Sequence, residues 1–142
     1  MRFMIIVKAT ADSEAGVMPS NELIEAMGRF NEKLINAGVL VTAEGLQASS
    51  KGTRVKYSKG RHTVTDGPFA EAKELIAGFW IVDVKSKDEA IEWVKQIPFE
   101  EGEEIEVRKV FEASDWEEAG LPTEVFEKEE AWRKANEKKP GS

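Results

Sequence analysis

A chain of 142 residues, 41% of them hydrophobic and 33% charged, is long enough to bury a core of its own as one domain. Its formal net charge of −7 argues against nucleic acid and against an anionic membrane surface as default partners, because both need clustered positive charge. The absence of cysteine excludes thiolate nucleophiles, iron–sulfur clusters and cysteine zinc sites, and suits a reducing compartment.

The start of the chain, Met1–Lys8, is too short and too early-charged for the apolar part of a signal peptide. No apolar run nears the roughly 20 residues of a membrane span, so no membrane partner and a cytoplasmic location are expected. Phe3–Ala9, rich in β-branched residues, predicts a buried strand, and Thr10–Gly16 a polar loop. Leu23, Met27, Phe30 and Leu34 recur at three and four, the stripe of an amphipathic helix, with Ser20 as N-cap and Gly38 just past its end. Val39–Ala43 predicts a second strand, and Glu44–Gly52 an irregular polar stretch.

Arg54–Ser58 and Arg61–Thr65 read as two arms of a hairpin turning at Lys59-Gly60. Asp66-Gly67-Pro68 then breaks the strand, since glycine frees the backbone and proline lacks a donor. Ala70–Ala77 predicts a helical turn and Gly78–Val84 a strand. Ser86 with Glu89 fits a capping box, starting a helix that carries Ala90, Ile91, Val94 and Ile97 and closes at Pro98. Glu104–Phe111 alternates as a strand does, and a last helix is expected from about Thr123, fraying before Pro140.

The order βα, β with an inserted hairpin, βα, β predicts an α+β fold of ferredoxin-like plan, with an extra C-terminal helix. Residues 1–117 form the expected domain and 118–142 the extension. Helices on one side of such a sheet leave its other face to be buried, and a second copy is the simplest cover, giving a homodimer.

Asp66 leaves a strand where the chain turns sharply. There a carboxylate serves either as an Asx-turn acceptor or as a general base, general acid or ligand anchor. The run Val64-Thr65-Asp66-Gly67-Pro68-Phe69-Ala70-Glu71, continuing to Gly78-Phe79, resembles the signature of DGPF-domain proteins in the YCII-related superfamily. Asp12-Ser13-Glu14-Ala15-Gly16, Glu89-Ala90-Ile91-Glu92-Trp93 and Ile105-Glu106-Val107-Arg108 agree with it, so the resemblance covers about Met1 to Glu117. It implies a ferredoxin-like domain that dimerises by packing sheets into a dimeric α+β barrel. It implies no settled activity, and it links many relatives to neighbouring sigma factors. Related YCII proteins are thought to use a His–Asp pair in a cleft. Asp66 matches the motif's aspartate, whereas His62, the one histidine, is not at a position the motif defines.

Along an extended strand His62 and Asp66 face the same side but stand roughly 13 Å apart, so a direct bond needs a bend or bulge. An exposed hairpin residue is the plainer reading of His62. Glu71 makes either a carboxylate pair with Asp66 or an acid at a solvated helix start. Arg54, Lys56, Lys59 and Arg61, with Lys51 and Tyr57, suit an anionic ligand, or simply protect a hairpin edge from aggregation. Arg2 and Arg108 lie on the first and last strands of the plan, with Asp66, Asp83 or a bound carboxylate as expected partners. Trp80, Trp93, Trp116 and Trp132 are most simply core and interface anchors, while Phe69, Phe79 and Trp80 alternatively suit a small apolar pocket. No phosphate loop, dinucleotide fingerprint, histidine-rich spacing or serine elbow occurs, so no cofactor or metal is expected.

Two functions fit. One is a small-molecule-binding dimeric barrel, with Asp66 at its cleft, Arg2 or Arg108 as anion anchor, and lyase, isomerase or hydrolase chemistry. The other is a non-enzymatic binding or regulatory module tied to sigma-factor-controlled transcription or stress response.

Overall fold

The computed structural model describes residues 1–70 and 74–137. Along the chain run β1 (Arg2–Lys8), α1 (Ala11–Glu14), α2 (Asn21–Asn36), β2 (Leu40–Gly45), a 3-10 turn at Ser49–Lys51, β3 (Thr53–Ser58), β4 (Arg61–Asp66), β5 (Ile76–Asp83), α3 (Lys87–Val94), β6 (Ile105–Lys109), α4 (Ala113–Glu118) and α5 (Glu124–Ala135). They form two compact units, Met1–Lys109 and Val110–Ser142.

In the first unit an antiparallel four-stranded sheet has the order β2-β5-β1-β6, and β3 pairs with β4 in a separate ribbon. Each βαβ half is split by a strand of the other half, which is the ferredoxin-like plan. Strand alternation gives the sheet two unlike faces. Phe3 and Ile5 of β1, with Trp80 and Val82 of β5, face the helices and join Phe30 and Leu34 of α2 and Ala90 of α3 in the core. Trp80 meets Phe30 edge-on, ring centres 5.5 Å apart, and its indole Nε1 donates to Asn31 Oδ1 at 2.8 Å. The second face carries Met4 and Ile6 opposite Ile81 and Phe79, and none of these belongs to that core cluster.

The expected helix signals are present. Ser20 Oγ accepts the Leu23 N–H at 3.2 Å, and Gly38 follows α2 at φ 72, a conformation glycine adopts without strain. Ser86 Oγ accepts the Glu89 N–H at 3.1 Å, but the Glu89 carboxylate reaches back to the N–H of Lys85 at 2.8 Å. That half of the box is therefore shifted by one residue.

Three expectations need correction. The Thr10–Gly16 stretch holds a turn of helix, because Thr10 Oγ1 accepts the Ser13 N–H while Ser13 Oγ accepts the Thr10 N–H. Serine here takes the reciprocal role usually played by Glu or Gln. The helical turn expected over Ala70–Ala77 falls partly on 71–73, outside the described residues, and its end is strand. β5 begins at Ile76, where the Leu75 carbonyl accepts from Ala9 N–H and the Ala77 carbonyl from Leu46 N–H. Finally, α4 follows β6 unannounced, started by a reciprocal Glu112–Asp115 box.

In the second unit Trp116 meets Phe111 edge-on and Phe126 at a tilt, with ring centres 6.2 and 4.6 Å apart. α5 starts one residue after Thr123, with acids in its first turn and Arg133 and Lys134 in its last, as the helix dipole favours.

Candidate functional site

The hairpin sets the position of Asp66. Lys59 and Gly60 both take positive φ, 51° and 75°, the requirement of a type I′ turn. That turn fixes an unshifted ladder of pairs running from Ser58↔Arg61 to Thr53↔Asp66. In the last pair Thr53 Oγ1 donates to Asp66 Oδ1 at 3.0 Å. Asp66 thus bonds a cross-strand hydroxyl and stays exposed. His62 sits four residues earlier on the same straight strand, roughly 13 Å away by strand rise and beyond hydrogen-bond reach. Its ring instead lies 5.3 Å from that of Tyr57, directly opposite.

Beyond Asp66 the chain is latched to a distant loop. Gly67 donates its N–H to the Gly52 carbonyl at 3.0 Å, and the Gly67–Pro68 peptide is cis. A Cβ on Gly67 would stand 1.8 Å from the Ser49 carbonyl oxygen, so only glycine fits. Phe69 donates its N–H to Ser49 Oγ at 3.0 Å. Ser49 in turn gives its hydroxyl to Glu14 Oε2 at 2.5 Å and its N–H to Glu14 Oε1 at 3.1 Å. One carboxylate on α1 therefore holds the 3-10 turn, and that turn holds the Asp66–Phe69 segment. The Arg54 guanidinium covers the Phe69 ring at 3.8 Å from its centre, a cation–π contact.

Gly45, Leu46, Gln47, Ala48, Ser49, Lys51 and Gly52 line an open concavity of about 450 Å³. Ser49 and Gly52 are common to this lining and to the latch.

Ser49→Ala is expected to speed hydrogen exchange at the Phe69 amide about 30-fold, corresponding to roughly 2 kcal/mol, because it removes two bonds, one of them to a carboxylate. Unchanged exchange at Phe69 would show that something else secures the turn.

The remaining sequence candidates lie on the second face of the main sheet. Arg108 is opposite Met4, Phe79 is opposite Ile6, and Arg2 shares their face opposite Asp83. Arg108 Nη2 lies 2.5 Å from Glu106 Oε2, a contact of charge rather than an aligned hydrogen bond, and Lys8 Nζ lies 3.6 Å from the other oxygen. Arg108 thus takes a partner on its own strand, in place of the expected Asp66 or Asp83. Asp83 accepts from the Met1 amino group at 3.1 Å. The candidates therefore fall into three places: Tyr57, His62 and Asp66 on one face of the hairpin, Phe69 in the latched turn, and Arg2, Phe79 and Arg108 on the sheet. Glu71 lies outside the described residues. Glu14 and Ser49 are the residues that reading of the sequence missed; they stand 35 positions apart, with no local pattern to join them.

Among the described residues no group of three or more acids and histidines could hold a metal, and no helix is long and apolar enough to cross a membrane.

A ferredoxin-like α+β domain with a latched Asp-Gly-Pro-Phe turn is the class that fold and site define. Residues 1–114 match the YCII-related domain, and the protein belongs to that family. Over 71 residues it is 35% identical to an uncharacterized protein of Rhizobium meliloti (strain 1021), an alignment covering 50% of this chain and 57% of that protein. The match thus spans little more than half of the relative's length. Among solved structures, 5-chloro-2-hydroxyhydroquinone dehydrochlorinase from Burkholderia phenoliruptrix AC1100, in complex with 2,5-dihydroxybenzoquinone, is similar over 81% of this chain and 98% of that one, at 18% identity and a TM-score of 0.46.

Proposed function

We propose that the protein is a homodimer that binds a small molecule bearing an anionic group and a hydroxyl, in the concavity beside the latched turn. The observation that carries this reading is the latch itself. Glu14, Ser49 and Gly67 fix the position of a turn whose Asp66 carboxylate remains exposed, which is preorganisation of a polar group beside an opening. Lys51 in the lining supplies a cation for the ligand's anionic group. Asp66 accepts the hydrogen bond of its hydroxyl, and a carboxylate so placed can also take a proton, the first step of lyase, isomerase or hydrolase chemistry.

The second sheet face supports the dimer. Met4, Phe79 and Ile81, each half-buried, lie outside the core cluster beside the buried Ile6, bordered by Arg2, Asp83, Glu106 and Arg108. An apolar centre with a charged rim is the anatomy of a protein interface, and a second copy can meet it through a two-fold axis.

Salicylate, which carries both groups, tests the reading by titration calorimetry. Asp66→Asn keeps an oxygen for Thr53 but loses the charge, and is expected to weaken binding about tenfold or more. Wild-type binding that Asp66→Asn leaves unchanged contradicts the assignment.

A further inference from the structure

We infer that the β3–β4 hairpin is an arm that lies on a second copy of this chain, with Val55, Tyr57, His62 and Val64 as its contact stripe. This rests on the homodimer reading above and goes beyond it, since that reading places only the sheet faces in contact.

The ladder sets Val55 opposite Val64 and Tyr57 opposite His62, so the four side chains share one face of the ribbon. Val55, Tyr57 and Val64 are 62%, 68% and 65% exposed, and no residue of the hairpin belongs to the core cluster. A lone two-stranded ribbon is marginally stable in water, and a β-branched and aromatic stripe along it gains most from a covering surface.

Charge identifies the cover. Residues 53–66 hold Arg54, Lys56, Lys59 and Arg61 against the single acid Asp66, a net +3 in a chain of −7, which leaves −10 on the remainder. A basic arm on an acidic body is drawn to the body of another copy. Arg54, Lys56 and Arg61 point to the face opposite the stripe. A nucleic acid would take that basic face and leave the valines and Tyr57 in water. A second copy can satisfy both faces, the stripe by apolar contact and the cations by the surplus of acids.

The chain has no cysteine, so a single engineered one carries a label without ambiguity. A nitroxide on Thr63→Cys, outside the stripe, is placed on unlabelled chain and mixed with ¹⁵N-labelled wild-type chain; broadening of the ¹⁵N signals then arises only between copies. In parallel, Val55→Glu with Val64→Lys puts opposite charges across the ladder, preserving strand pairing while removing the apolar stripe. The expected results are broadening on the ¹⁵N chain and, by sedimentation, a dimer dissociation constant at least tenfold higher in the double variant. A wild-type dimer in which either measure is unchanged overturns the arm and leaves the sheet-face dimer standing, the stripe then belonging to a different partner. A wild-type monomer at tens of micromolar overturns both.

Discussion

Replacing Gly67 by alanine is expected to undock the Asp66–Phe69 turn while leaving the rest of the fold in place. The new methyl would lie 1.8 Å from the Ser49 carbonyl oxygen and 2.7 Å from its carbon. Neither is the end of a flexible side chain, so the backbone of one loop or the other must retreat by more than an ångström. Forcing extra volume into such a contact costs about 1–3 kcal/mol, and more where backbone must move. Retreat also parts Phe69 N–H from Ser49 Oγ and Gly67 N–H from the Gly52 carbonyl. Hydrogen exchange should therefore lose protection at both amides, and salicylate binding should fall more than tenfold. The melting temperature should fall far less than for a core variant, because neither Gly67 nor Ser49 belongs to the core cluster. Wild-type exchange at Gly67 and Phe69 in the alanine variant would contradict the latch.

Trp80→Ala makes the opposite prediction, a large global loss with no specificity for the turn. Trp80 is 6% exposed, packs edge-on against Phe30 and donates to Asn31. Truncating a buried aromatic residue costs about 3–5 kcal/mol through lost transfer energy and the cavity left behind. Against a typical total of about 5–15 kcal/mol this is a large share. A urea titration should show the midpoint fall sharply, with the apparent free energy lower by that amount. Trp80→Phe retains most of the packing, loses the bond to Asn31, and should fall between the two. A loss below about 1 kcal/mol for the alanine variant would mean that the sheet–helix core is not organised around this ring.

These two sites also mark what could be read from the sequence and what could not. Elements whose cause is local were legible. Ser20 and Gly38 bound α2, and Lys59-Gly60 makes the hairpin turn, because caps and I′ turns depend on residues a few positions apart. The turn even fixes the Thr53↔Asp66 pair, although the arms were expected to end one residue short of it. Trp80 was expected either as a core anchor or in a small pocket with Phe69 and Phe79; strand alternation puts it in the core and Phe79 on the opposite face. The latch was not legible, because Glu14 meets Ser49 across 35 positions and Ser49 meets Phe69 across 20. Glu14 and Gly67 were visible only inside stretches that resemble the family, without a physical role. Asp66 was expected to bond backbone N–H groups or a substrate, and its bond to the Thr53 hydroxyl follows from a register that only the folded hairpin establishes.

The start of β5 was hidden for a related reason. Ile76 and Ala77 sit in a stretch of helix-forming residues, yet the sheet claims them through the backbone bonds that Leu75 and Ala77 receive from two different strands' ends.

Mapping salicylate by ¹H–¹⁵N correlation spectra on the wild-type protein tests the ligand site at the latched turn. Shifts concentrated on Gly45–Gly52, Asp66 and Phe69, and absent from the same titration of Gly67→Ala, are the expected result. Shifts confined to the second sheet face around Phe79 and Arg108, or spread evenly over the surface, would contradict the assignment of the ligand site to the latched turn.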